Sequence, residues 1–184
     1  MKKLAVSEIA AAICKADNLN LDDNEIKYSQ VRNLVRHGVL RDGVQVDRRG
    51  TLAFPILELY RARILTRLAD IVPSVADFGD VMYAEVRHGH VLPTRCKGNW
   101  HGLRSIVEGV ANGEAWWLEI KYYAPGQSRH KRFTTGFVWE GDERLNDAES
   151  ACIDESFGAV PLHAVLRLDL KVLFANLPEL QSED

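Results

Sequence analysis

This 184-residue sequence predicts an α+β fold in two parts. Between Val6 and Asp70, apolar residues recur at helical spacing. They are interrupted from Leu40 to Pro55 by alternating apolar and polar residues with turn-forming glycines. Further on, Glu114 to Tyr123 is rich in aromatic and branched residues. A turn at Pro125-Gly126-Gln127-Ser128 follows, and then a second such run to Trp139, which together predict an antiparallel meander. Pro73-Ser74 and Phe78-Gly79-Asp80 punctuate the chain between these regions. The expected division is therefore residues 1–75 and residues 76–184, the second a small mixed domain built around one sheet.

Composition limits the classes open to the chain. Hydrophobic residues make up 46% of it, which allows a packed core. No uninterrupted apolar run approaches the ~18 residues of a membrane span. The apolar run Leu4–Val6 gives way to Ser7-Glu8, too short for a signal peptide, and a cytoplasmic protein is expected. Cys14, Cys96 and Cys152 are odd in number and widely spaced, which describes reduced thiols and no disulfide scaffold. The net charge of −3 is unevenly divided: residues 1–75 carry 12 Lys/Arg against 9 Asp/Glu, and the remainder carries 11 against 17. Only the first part has a basic balance, as a phosphate footprint requires.

In chain order, Val6 to Cys14 predicts a first helix with Ser7 as N-cap and Ile9, Ala12 and Ile13 on its buried side. Asp17 to Asp23 reads as a polar loop with Leu19 and Leu21 tucked in. Asn24 to Lys27 forms at most a lead-in turn, and a second helix is expected from Tyr28 or Ser29. Its apolar face is Val31, Leu34 and Val35, and Gly38 stops it in the manner of a C′ glycine. A hairpin follows, with turns at Arg41-Asp42-Gly43 and Arg48-Arg49-Gly50. A long helix is then expected from Pro55 or Ile56 to Asp70. Proline suits N1, and Ile56, Leu59, Tyr60, Ile64, Leu65 and Leu68 form the buried stripe. Arg61, Arg63 and Arg67 fall elsewhere on that helix, facing solvent or phosphate.

A short helix with an arginine-bearing face, followed by a basic hairpin, is the pattern of a winged helix-turn-helix. A helix in the major groove presents side chains to base edges, and Ser29, Gln30, Arg32 and Asn33 are the right chemical types. Arginine bridges two acceptors of guanine, while Gln or Asn pairs with adenine. Lys27, Arg36, Arg41, Arg48 and Arg49 are expected on phosphate, or at the wing in a minor groove. The bland alternative is a solvated face of an ordinary helix.

The succession Ser7-Glu8-Ile9-Ala10, Ser29-Gln30-Val31-Arg32, Gly38-Val39-Leu40, Arg49-Gly50-Thr51-Leu52-Ala53-Phe54 and a helix over Leu57 to Ile71 resembles the winged helix-turn-helix domain of the MerR superfamily. The resemblance covers about residues 4–75. It implies that Val31-Arg32 hold the family's Ile/Val-Arg position and that Arg32 is the main DNA-facing arginine. The sequence departs from the family in four respects. The stretch from Cys14 to Tyr28 is longer than the family's compact turn. Asn33-Leu34 replaces Tyr-Trp or Tyr-Tyr. Leu52 and Ala53 replace wing arginines, with Arg48 and Arg49 upstream. Pro73 also precludes the family's dimerising coiled coil.

In the second part, Val81 to Val86 predicts a strand, and Ile106 to Val110 is apolar but of undecided type. Glu114 to Tyr123 and Lys131 to Trp139 predict paired strands, with Glu119 and Lys121 on a half-exposed face. Leu145 to Ile153 reads as partly helical, and Val165 to Leu168 as extended. Asp169 is expected to cap a final helix from Leu170 to Asn176 that docks through Leu170, Leu173, Phe174 and Leu177.

Catalytic chemistry is not expected. His88, His90, Cys96 and His101 have ligand types but no familiar metal spacing, and the Cys96–His101 pair lacks an orienting third group. Asp142-Glu143 and Asp154-Glu155 suit solvent, and Arg129-His130-Lys131-Arg132 suits a solvated hairpin. No Walker loop or dinucleotide fingerprint occurs. Neither a metal nor a cofactor is expected. Trp100, Trp116, Trp117 and Trp139 put every tryptophan in the second part, as core, as an interface or around an effector pocket. The expected function is sequence-specific binding of double-stranded DNA by a homodimeric transcriptional regulator, with an unidentified effector as a further partner. The alternatives are an adaptor or assembly protein whose wing contacts another protein and, behind it, an enzyme with its site in the aromatic-rich part.

Overall fold

The computed structural model describes residues 3–40, 42–71, 103–123, 132–139 and 162–180. The described chain is α+β, with helices and two small antiparallel sheets. It divides into two compact units, one of residues 1–76 with 172–184 and one of residues 77–171. The C-terminal segment, expected in the second part, is gathered with the first unit.

The first unit opens with strand β1 (Lys3–Ala5) and helix α1 (Val6–Ala16). The N-cap is Ala5 rather than Ser7. The backbone N–H of Ala5 donates to the Glu8 carboxylate at 2.7 Å, so half of a capping box forms without a hydroxyl. Ile9, Ala10 and Ile13 are buried. The helix ends where Asn18 takes a left-handed φ of 53°. Asn18 N–H then donates to the carbonyl of Lys15, and Leu19 N–H to that of Cys14, which is a Schellman closure.

Helix α2 (Leu21–Arg36) begins at once. Asn20 caps it, its side chain accepting from Asp23 N–H at 3.0 Å while Asp23 accepts from Asn20 N–H at 3.3 Å. The long loop and late helix start expected from the sequence are thereby corrected. Four residues, Asp17–Asn20, join the two helices, and Asn24 to Lys27 is continuous helix. Asp22 and Asp23 resemble loop residues in composition, but in a first turn they complement the helix dipole. Leu19 is 38% exposed rather than tucked in. At the other end Gly38 has φ 65°, and the Val39 N–H to Leu34 carbonyl bond closes the expected glycine stop.

Strands β2 (Val44–Gln45) and β3 (Leu52–Pro55) form the expected hairpin, paired Val44 to Ala53 and Gln45 to Leu52. The other edge of β3 pairs with β1, Lys3 opposite Pro55, giving the antiparallel order β1-β3-β2. Gly43 has no alternative, since a Cβ there would stand 2.6 Å from the buried ring of Phe54. Pro55 ends a strand instead of starting a helix, and helix α3 runs Leu57–Ile71. The expected stripe is buried, but so are Glu58, Arg61, Arg63 and Thr66, so α3 is enclosed nearly all round. Part of that enclosure is the C-terminal segment. Phe174 meets the Tyr60 ring edge-on at 5.0 Å, and Tyr60 Oη donates to the Pro178 carbonyl at 2.7 Å.

The second unit contains helix α4 (Leu103–Ala111) and strands β4 (Trp116–Tyr123), β5 (Arg132–Trp139) and β6 (Leu162–Asp169). Their antiparallel order is β5-β4-β6. The apolar run of undecided type is α4, with Leu103, Ile106 and Val107 buried, and it lies against β4. Trp116, Leu118 and Ile120 alternate along β4 and are buried. Helix α5 (Leu170–Phe174) follows β6, its first turn held by Lys171 N–H donating to Asp169 at 2.8 Å, as expected. The strand expected over Val81 to Val86 and the helix expected over Leu145 to Ile153 lie outside the described residues.

Candidate nucleic-acid interface

Helix α2 sorts its residues into two sides. Val31 and Leu34 are buried with Lys27. Ser29, Arg32, Asn33 and Arg36, spaced i, i+3, i+4 and i+7, are all exposed and line one surface depression. The outward set therefore presents two guanidinium groups, an amide and a hydroxyl together. These groups hydrogen-bond phosphate oxygens and base edges.

Two residues expected in that set are engaged elsewhere. Lys27 is 5% exposed, and its Nζ lies 2.6 Å from Asp70 Oδ2 at the end of α3. Gln30 Nε2 donates to the other oxygen, Asp70 Oδ1, at 3.1 Å. Both side chains thus engage α3; burying the Lys27 ammonium requires a partner, and the α3 carboxylate supplies it. Burial pushes the Asp70 carboxyl up. The hydrogen bonds from Lys27 and Gln30, with the charges of Lys27 and Arg67, outweigh it and leave the pKa below the usual carboxylate value.

Arg63 is likewise corrected. It forms a two-point ion pair with Asp17, in the turn between α1 and α2, and its Nε donates to the Leu173 carbonyl at 3.3 Å. Arg61 is buried against Glu58 at 3.1 Å, and Arg67 alone of the three is exposed.

The hairpin tip is organised by Asp47, which the sequence expectations did not single out. Its Oδ1 accepts from the N–H groups of Arg49 and Thr51, each at 2.9 Å, and its Oδ2 accepts from Thr51 Oγ1 at 2.7 Å. Hydrogen bonding from the Thr51 side chain, then from backbone N–H groups, holds the Asp47 carboxyl below its usual pKa. The legible signal was Asp followed by Gly50 and Thr51, an Asx-type turn. Arg48 and Arg49 project from this turn, both exposed, and Val44 and Val46 beside them are 45% and 57% exposed. Arg41 lies outside the described residues.

In the second unit, Trp116 is core. It is 3% exposed, stacks on Trp139 at 6.3 Å and donates from Nε1 to Glu114 at 2.9 Å. Trp117 and Trp139 are half-buried, and Trp100 lies outside the described residues. Glu119 is buried, not half-exposed, and accepts from Arg167 Nε at 2.6 Å. His88, His90, Cys96, His101, both acidic pairs and Arg129 to Lys131 also lie outside the described residues. Cys14 is buried in the first unit, and burial pushes its thiol pKa up.

No described helix is long and apolar enough to cross a membrane. No family model, no curated protein and no solved structure matches this chain.

Proposed function

We propose that this chain is a cytoplasmic, sequence-specific double-stranded DNA-binding protein, a transcriptional regulator whose first unit works as a winged helix-turn-helix. The carrying observation is the exposed face Ser29, Arg32, Asn33 and Arg36 on the second of two helices joined by a four-residue turn. The β2–β3 hairpin that follows, with Arg48 and Arg49 exposed at its tip, supports the same reading. In this mechanism α2 enters the major groove, with Arg32 on guanine O6 and N7 and Asn33 on adenine, while Arg36 and the wing arginines neutralise phosphates. The net charge of −3 then confines affinity to this local patch. The second unit is assigned to dimerisation, which places two reading helices on paired half-sites.

Selection from a random duplex pool tests the proposal. The expected product is a two-fold symmetric motif bound with a salt-dependent Kd. Arg32→Ala is expected to weaken binding to that motif by about 1–3 kcal/mol, roughly 5- to 150-fold in Kd. Replacing Arg48 and Arg49 together is expected to flatten the salt slope by about 2 while preserving the motif. Binding indifferent to both salt and Arg32 would sink the proposal.

A further inference from the structure

We infer that Asp70 is the positioning residue of the reading helix, a two-point carboxylate grip that sets the rotation and register of α2 against α3. The inference rests on the proposed DNA-facing role of α2. At about 100° per residue, Lys27 and Gln30 project from the side of α2 roughly opposite Ser29, Arg32 and Arg36. Asp70 holds that rear side with both oxygens, Oδ2 to Lys27 at 2.6 Å and Oδ1 to Gln30 at 3.1 Å, on residues about one helical turn apart.

The directional character of this grip is what matters. The apolar contacts of Val31 and Leu34 hold α2 down, but hydrophobic burial is non-directional and tolerates small rotations. Two hydrogen bonds to one carboxylate do not, since rotation by one residue loses both. Asp70 itself is exposed at the end of α3, but the helix that carries it is buried as far as Leu68, two residues before it. Base readout needs this precision more than phosphate contact does. A guanidinium pairs bidentately with guanine only when correctly aimed, whereas it attracts phosphate from many angles.

Asp70→Asn therefore separates the two kinds of contact. The ratio of affinities for the selected motif over a scrambled duplex is expected to fall about tenfold, with an unchanged salt slope. Asp70→Glu, which keeps both acceptor oxygens, is expected to restore most of that ratio. In the DNA-free protein, amide shifts in Asp70→Asn are expected to move at Ser29, Arg32 and Asn33, a readout independent of DNA. Should Asp70→Asn fail to fold, Lys27→Met is measured instead, because it removes the buried ammonium together with half the grip, and the same losses are expected. Unchanged specificity and unchanged α2 shifts in a folded variant would overturn the inference. A wild-type chain that binds no duplex would overturn the proposed function, while the shift comparison still decides whether Asp70 sets α2.

Discussion

Lys27, Arg61 and Arg63 are basic residues that a surface reading assigns to solvent or phosphate, yet each is 5–7% exposed and paired with a carboxylate. A long apolar stem allows such burial, and the pairing makes it tolerable. On α2 and the hairpin tip, the described basic residues left outward are Arg32, Arg36, Arg48 and Arg49. The Asp70 pair also predicts a pH dependence. Its folded pKa lies below the ordinary carboxylate value, so its contribution is fully present above that value and is lost as pH falls through the folded pKa. Denaturant unfolding is expected to find wild type more stable than Asp70→Asn at pH 7, with the difference shrinking progressively under acid. Cys14 gives a second check at this scale. Its burial and raised pKa predict that, in a Cys96→Ser/Cys152→Ser background, a thiol reagent labels Cys14 only as fast as the protein opens. Rapid labelling of the folded protein would contradict that burial.

Among the elements, α2 shows which signals carry through a sequence. Its C-terminus was legible because Gly38 alone there adopts φ 65° without cost. Gly38→Ala is expected to destabilise the protein by about 1 kcal/mol, read as a lowered thermal midpoint. Its N-terminus was not legible. Asn20, Asp22, Asp23 and Asn24 have the composition of a loop, and only the reciprocal Asn20–Asp23 bonds turn that composition into a cap. The hairpin was legible from alternation and glycines, and α3 from its apolar stripe. That α3 would be buried on its other side as well was not, because the covering residues come from beyond residue 170.

For the molecule as a whole, the return of Val172–Asp184 to the first unit makes residues 77–171 an insertion within it. Leu173, Phe174 and Leu177 are between 6% and 9% exposed and complete the enclosure of α3. Phe174→Ala is expected to cost about 3 kcal/mol, removing a buried ring and its edge-on contact with Tyr60. Circular dichroism melts report the loss, and DNA binding is expected to weaken with it. A variant that melts like wild type would show that the first unit stands without its C-terminal segment.

The sequence by itself determined the local periodic features. These are the α+β class, the hairpin, the glycine stop of α2, the paired strands around Trp117 and Val138, and the outward spacing of Ser29, Arg32, Asn33 and Arg36. Tertiary structure alone decided which charges stay free and which are used as clamps. Lys27 meets Asp70 across 43 positions, and Arg63 meets the Leu173 carbonyl across 110. Periodicity records which side of an element is apolar. It holds no record of which distant side chain will arrive there, and for a charged residue that arrival separates a surface contact from a buried anchor.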